Sequence, residues 1–417
     1  MDRKPLALLL LAVGALALAA AAAHARPAAD PGVTDTTITI GGTVPLTGSF
    51  SSVAGVARGA EAYFKWLNAQ GGVNKRKILY KYYDDQYNPS LTVQQTRQLV
   101  QQDKVFAIFN TVGTEHNLAI RGFLNELDVP HLFLATGLTA WGRQYKEYPW
   151  TMGYLPSYVA EGTIYGKYLL GAKPTARVAI LHQDDDYGKD LVAGLRKGLG
   201  RRAGRMIVAT ETYSPEQADV RSEIIRLKAS GANTLMIFAF GKFAIQSFAF
   251  VRETGWRPLI FVNQVASSAN VMLVSGSAGE NKRVHGALTI GFVKDPADVR
   301  WSSDRGMKLY FRIMKRYLPR ANARDGYHAY GMASAFTMAD ALRRAGRNPT
   351  RASLIRAATN LTERNNPFLM PGIVVRTRSN DRFPIAQAQL QRFRYYKAGR
   401  DWAGRWIPFG KLVTARG

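Results

Sequence analysis

Residues 129–142 read VPHLFLATGLTAWG. Leu132, Phe133 and Leu134 run apolar without a polar break, the pattern of a strand covered on both faces. The run then turns small and hydroxylic at Ala135, Thr136, Gly137 and Thr139, before Trp141. Taken alone, this end reads either as an ordinary turn or as the seat of a ligand.

The neighbouring sequence repeats the same grammar. TITIGGTV (37–44), ILYKYYDDQ (78–86) and VFAIFN (105–110) read as strands, and AGVARGAEAYFKWLNAQGG (54–72) as a helix stopped by Gly71-Gly72. PSLTVQQTRQLVQQD (89–103) is a helix with Pro89 near its start, and TEHNLAIRGFLNEL (114–127) is another. The alternation continues through helices at 158–171, 188–199, 220–231 and 242–255. Strands are expected at 177–186, 205–213, 233–240 and 258–263. Strands alternating with helices predict parallel sheets flanked by helices. Two such sheets fit, one over about 35–150 and one over about 155–285. Beyond 285 the pattern changes: a strand at 284–293, long helices at 303–317 and 326–345, and strand alternation in FPIAQAQLQRFRYY (383–396). This tail carries no third core and is expected to pack back onto both lobes.

A chain of 417 residues is too long for one compact core, which agrees with two lobes. Hydrophobic content of 47% and charge of 21% fit a globular protein. Residues 1–25 read differently. MDRK is a basic start, PLALLLLAVGALALAAAA an apolar run, and Ala23-His24-Ala25 an A-x-A cleavage site. Export with a mature start near Arg26 is expected, and no other run is long enough to span a bilayer. With no Cys, the core must suffice without disulfides, and no N-terminal Cys can carry a lipid anchor. The expected location is therefore a periplasm, without a lipid anchor. The formal charge is +26, of which the leader holds +1 through Arg3 and Lys4 against Asp2. The basic residues are spread along the chain, and no zinc-finger spacing or RNA-binding aromatic signature accompanies them. Nucleic acid is therefore not an expected partner.

In open α/β sheets ligands bind beyond the carboxyl ends of the strands. Those ends read PLTGSFSS (45–52), DDQYN (84–88), NTVGTEH (110–116), ATGLTAW (135–141), QDDDYG (183–188), FAFGKF (238–243) and VNQVASS (262–268). Hydroxyls, amides and aromatics dominate them. Each loop alone is explained by turn chemistry; the run of similar loops points to a pocket. Catalytic constellations are absent: no Cys nucleophile, no paired His, no GxSxG elbow and no Walker loop. No catalytic residue, metal site or cofactor is expected. Asp184-Asp185-Asp186 admits a cation site, but acids between a strand and a helix also cap N–H groups, and capping is preferred.

The combined blocks resemble the periplasmic solute-binding proteins of ABC importers, in the branched-chain amino acid (leucine/isoleucine/valine-binding) class. The residues that carry this are IGGTVPLTG (40–48), RGAEAYFKWLNAQGGV (58–73), YYDDQYNPSLTVQQTRQLV (82–100) and VPHLFLATG (129–137). They continue through YPWTMGYLPSY (148–158), AILHQDDDYGKD (179–190), RLKASGANTLMIF (226–238) and GWRPLIFVN (255–263). The resemblance implies an α/β type I periplasmic binding protein fold: two Rossmann-like lobes with parallel sheets, joined by a three-crossover hinge and closing on ligand. Crossovers are expected near 151–157, 284–291 and 366–372. Lobe 1 would be 33–153 plus 290–368, and lobe 2 157–284 plus 372–410.

The resemblance also implies a site. Thr111, Thr114, Ala135, Thr136, Gly137 and Thr139 match the loops that hold a ligand carboxylate. Ser51 and Ser52 match the first pocket loop, and Tyr154, Tyr187 and Phe240 match wall positions. Core packing accounts equally well for Phe240. Relatives place an acid for the ligand ammonium after the strand matching PLIFVN, where this chain has Asn263 and Gln264. A desolvated cation without a carboxylate partner is costly, so an acid lacking an amine, aromatic or short aliphatic, competes with an ordinary amino acid, and a small amide is another option. The expected function is a monomeric receptor delivering a small carboxylate-bearing solute to an inner-membrane ABC permease. A ligand sensor on the same fold, signalling to a regulator, is the alternative.

Overall fold

The computed structural model describes residues 30–277, 282–399 and 401–414. The expected leader at 1–25 lies outside the described residues. Among them, no helix is long and apolar enough to cross a membrane.

The first sheet contains β1 (Thr37–Val44), β2 (Lys77–Asp84), β3 (Ala107–Phe109), β4 (His131–Leu134) and β5 (Thr151–Gly153), in the order β2-β1-β3-β4-β5. Every pairing in it is parallel. Helices α1 (Gly55–Ala69), α2 (Pro89–Arg97) and α3 (Thr114–Glu126) connect its strands. Local chemistry places these ends. Pro89 opens α2, and the Asn88 side chain accepts from the N–H of Ser90 at 2.9 Å, an orphan donor of the first turn.

The second sheet is entered through α4 (Tyr158–Ala172). It holds β6 (Val178–Gln183), β7 (Ile207–Tyr213), β8 (Thr234–Phe238), β9 (Leu259–Val262) and β10 (Leu288–Gly291) in parallel. Helices α5 (Asp186–Leu199), α6 (Arg221–Ala229) and α7 (Lys242–Glu253) link them. Two antiparallel strands, β11 (Gln387–Ala398) and β12 (Asp401–Pro408), extend the sheet beyond β10. The alternation in 383–396 marks β11, whereas Gly404 and Pro408 interrupt the pattern of β12 and leave it without a clear signal. After β10 the chain returns to the first lobe as α8 (Arg305–Tyr317) and α9 (Gly326–Arg344), the latter packed against α1.

The hinge differs in detail from the expected boundaries. β10 belongs to the second sheet, so the second crossover comes after Gly291. It pairs with the chain at 368–370: the Lys294 N–H donates to the Phe368 carbonyl at 2.9 Å, and the Met370 N–H to that of Phe292 at 2.8 Å. Past 372 the chain turns back to lobe 1. Arg382 donates to the Pro149 carbonyl at 2.5 Å, and Phe383 packs on Gly142. It enters the second sheet only at Gln387.

The stretch 129–142 is not a plain strand. The β4–β5 register shifts between Leu132 and Leu134, and Phe133 between them has φ 56°. A bulky residue in the left-handed region is uncommon, and such bulges re-aim the chain beyond them. Here the segment after the bulge turns to pair Ala135 with Val112, at the ends of β4 and β3.

Candidate functional site

Both sheets point their carboxyl ends at one cavity of about 140 Å³. Lobe 1 contributes Val53, Tyr87, Gly113, Thr114 and Ala135. Lobe 2 contributes Tyr158, Tyr187, Phe240 and Gln264. The second crossover supplies Phe292 to Asp295, and Tyr327 and Tyr330 come from α9. The walls are mainly apolar and aromatic, with a few polar groups among them.

One polar end is built on α3. Its N-cap is Gly113 at φ 101°, which makes no side-chain cap, so the first-turn N–H groups keep their partial positive charge. Only glycine fits there, since a Cβ would lie 2.2 Å from the His116 ring. The Thr114 hydroxyl lines the cavity and meets that of Thr136 at 2.5 Å, which in turn lies 3.4 Å from the Tyr158 hydroxyl. His116, its ring 4.3 Å from that of Tyr87 and tilted by 42°, is pushed down to about 4 by burial and is neutral. A helix N-terminus with a hydroxyl beside it suits an anion, and the one acid of its first turn, Glu115, is engaged by the Asp186 N–H.

Of the residues expected from sequence, Thr114, Ala135, Tyr187, Phe240 and Gln264 line this cavity. The others have different work. Thr111 accepts from the Thr43 N–H at 3.3 Å, and its carbonyl takes the Ala135 N–H at 3.0 Å. Ala135 therefore lines the cavity with its donor already used. Thr136 acts one layer back, on Thr114. Gly137 admits the Tyr158 ring, which a Cβ would approach to 2.9 Å. Thr139 faces the other lobe: its N–H and hydroxyl donate to Asp190 Oδ2 at 2.9 and 2.8 Å. Tyr154 is buried under the hinge, donating to the Ala333 carbonyl at 3.0 Å. Ser51 and Ser52 are exposed, while their neighbour Phe50 turns inward, stacked on Tyr87 at 4.0 Å and on Phe240 at 5.7 Å. Asn263 is buried; with its amide oxygen facing the Tyr187 hydroxyl at 2.8 Å, it holds that ring in the wall.

The acid run at 184–186 caps. Asp185 accepts from the Gly188 N–H at 3.1 Å at the start of α5, and the Asp186 N–H donates to Glu115 across the cleft at 3.0 Å. Among the described residues, no cluster of metal-ligating side chains forms.

Sequence reasoning does not single out Tyr87, Tyr158, Tyr327, Tyr330, Trp406 or Asp295, all of which line the cavity. Tyr87 and Tyr158 lie inside stretches quoted above for the pocket and the resemblance, and a rule favouring aromatics at strand ends would find Tyr87. Tyr327, Tyr330, Asp295 and Trp406 carry no local signal, because only the return of the chain brings them here.

Comparison with known proteins agrees with this architecture. A family profile described as Periplasmic binding protein matches residues 37–400. The chain is 24% identical over 245 residues to Leu/Ile/Val-binding protein homolog 3 of Brucella melitensis, covering 58% of this chain and 64% of that relative, just under two thirds of its length. It is 24% identical over 319 residues to an amino acid binding protein of Pseudomonas aeruginosa, covering 76% of this chain and 81% of the other. In structure it resembles a branched chain amino acid ABC transporter protein from Thermus thermophilus with bound valine: TM-score 0.77, 18% identity, 92% of this chain and 98% of that one. It also resembles a fatty acid ABC transporter substrate-binding protein from Thermomonospora curvata: TM-score 0.76, 16% identity, 93% and 95% covered. At these identities the structural likeness speaks for the fold, a type I periplasmic binding protein.

Proposed function

The chain belongs to the periplasmic binding protein family, and on that premise we propose that it is the exported receptor of an ABC importer for a small carboxylate-bearing solute with an apolar body. The observation that carries this reading is the cavity itself: an apolar, aromatic chamber between two lobes, with the open N-terminus of α3 and the Thr114 hydroxyl at one end. Its volume of about 140 Å³ resembles the ~150 Å³ cavity known to take benzene. A single ring or a branched aliphatic chain is therefore the size of body supported. Valine, bound in one structural neighbour, and a fatty acid, the cargo named for the other, share a carboxylate head and an apolar body. The proposed partner is an inner-membrane permease, met by a monomer after export.

A thermal-shift screen of small acids against their primary amides tests this. Acids should raise the melting temperature, amides of equal shape should not, and the solute should be recovered unchanged. Conversion of the solute would sink the receptor reading, and equal shifts by acid and amide would sink the carboxylate seat. Thr114→Val removes a neutral donor to a charged group, ~1.5–3 kcal/mol. Affinity for the acids should fall about tenfold or more with the fold intact, and unchanged calorimetric affinity would take Thr114 out of the site.

Closure carries a prediction of its own. Asp190 joins the lobes through Thr139, and this bond exists only while they meet. Asp190→Ala should shift the unliganded protein toward an open form and weaken solute binding about tenfold. X-ray scattering should then show a larger radius of gyration than the wild type, collapsing on solute. An unchanged radius and unchanged affinity together would show that the bond does not govern closure.

A further inference from the structure

The acid missing from Val262-Asn263-Gln264 is matched by one on the hinge. Asp295 lies on the second crossover and lines the same cavity. Its Oδ1 accepts from the Ala297 N–H at 2.9 Å, while its Oδ2 is shielded from solvent and has no hydrogen-bond partner. The neighbouring cations are engaged elsewhere. Lys294 donates to Asp304 at 2.8 Å and to the Pro367 carbonyl at 2.9 Å. Arg300 is bound to Asp298 and donates to the Trp406 carbonyl at 2.8 Å. Asp325, at the start of α9, accepts from the Tyr327 N–H at 3.0 Å and adds only negative charge. A buried carboxylate oxygen without a partner is costly to leave unmade. The Asp295 residue stands in the wall of a cavity that also includes Tyr327, Tyr330 and Trp406, faces that favour a cation.

The structure assigns Asp295 as a second anchor of the cavity, selecting a solute that carries an ammonium group as well as the carboxylate. This rests on the carboxylate reading above and extends it: the ammonium is met from the hinge and not from the strand end after β9. In the empty cavity, burial, with Asp298 and Asp325 nearby, raises the Asp295 carboxyl to about 7, opposed by Arg300. An arriving ammonium would hold it ionised, so binding near pH 7 would release protons.

Three probes separate the two readings by calorimetry on the mature protein: 4-(aminomethyl)benzoate, its isostere 4-ethylbenzoate, and 4-ethylbenzamide. The wild type should bind the amine at least tenfold more tightly than 4-ethylbenzoate. Asp295→Asn should abolish that preference, the two probes then binding within a few fold of each other. In wild type, two buffers of different ionisation enthalpy should show proton release with the amine and none with 4-ethylbenzoate, a measurement that does not depend on the variant folding. No preference for the amine in wild type, or a preference unchanged in Asp295→Asn, overturns the second anchor alone. Binding of 4-ethylbenzamide as tightly as 4-ethylbenzoate overturns the carboxylate reading, and the second anchor with it.

Discussion

Gly162→Leu should leave little folded protein. Helices α4 and α5 meet through Gly162 and Gly166 on one side and Gly194 and Gly198 on the other, and their backbones nearly touch. A Cβ on Gly162 would lie 2.4 Å from the Leu191 carbonyl oxygen and 2.5 Å from the Leu195 nitrogen. One on Gly194 would lie 2.5 Å from the Val159 oxygen. The obstacles are backbone atoms of packed helices, so no side chain can swing away. Overpacking of this kind costs on the order of 3 kcal/mol, a large part of a domain's stability. The damage would reach the site, because α5 carries Tyr187 into the cavity wall and Asp190 to Thr139. Gly171→Ala on the same α4 is the control: nothing lies within 4 Å of its Cβ, and helix propensity favours alanine. Urea denaturation should show Gly171→Ala unchanged or slightly stabilised and Gly162→Leu unfolded or far weaker. A Gly162→Leu midpoint equal to wild type would show that the helices can move apart freely.

Glu161→Gln should do the opposite and stabilise the protein, but only above acidic pH. Glu161 is fully buried in the first turn of α4. Its Oε1 accepts from the Gln264 N–H at 2.6 Å and the Tyr165 hydroxyl at 2.7 Å, and its Oε2 has no partner. Burial raises the carboxyl from 4.5 to about 7, with those two bonds opposing it. Below pH 4.5 both folded and unfolded chains hold the proton, and the acid costs nothing. As pH rises toward 7 the unfolded chain gives up its proton first, so stability falls, and above 7 the full cost stands. A shift of this size is worth on the order of 3 kcal/mol. The glutamine keeps an oxygen for Gln264 and Tyr165 without the charge. Its midpoint in urea should exceed that of wild type at pH 8 and match it at pH 4. The histidines pull the other way. Burial lowers His116, His131 and His328 to about 4, 3 and 4, so their share of stability is lost as pH falls below 6.5, equally in both proteins. An equal gain at both pH values would mean that packing, not charge, separates the two. Glu161 holds the backbone of Gln264, a cavity residue, which links this costly acid to the shape of the site.

Much of this molecule is legible from residue order alone. The apolar runs and helical spacings mark the alternating strands and helices, because what covers a strand on both faces is written in its own residues. The strand ends emerge from the same pattern, and with them the neighbourhood of the site: Thr114, Ala135, Tyr187, Phe240 and Gln264 come from loops read as pocket loops. The assignment within those loops does not. Whether the Ala135 N–H is free depends on a bond to Thr111, and Thr139 reads as a ligand group until Asp190 arrives from the other lobe. Asp295, Tyr327 and Trp406 reach the cavity only because the chain crosses the hinge and returns. Local periodicity records which side of an element is buried, since that is settled within a few residues. Which polar groups are spent on each other, and which are left facing the cavity, is settled by pairings across tens to hundreds of residues, and those exist only once the two lobes have met.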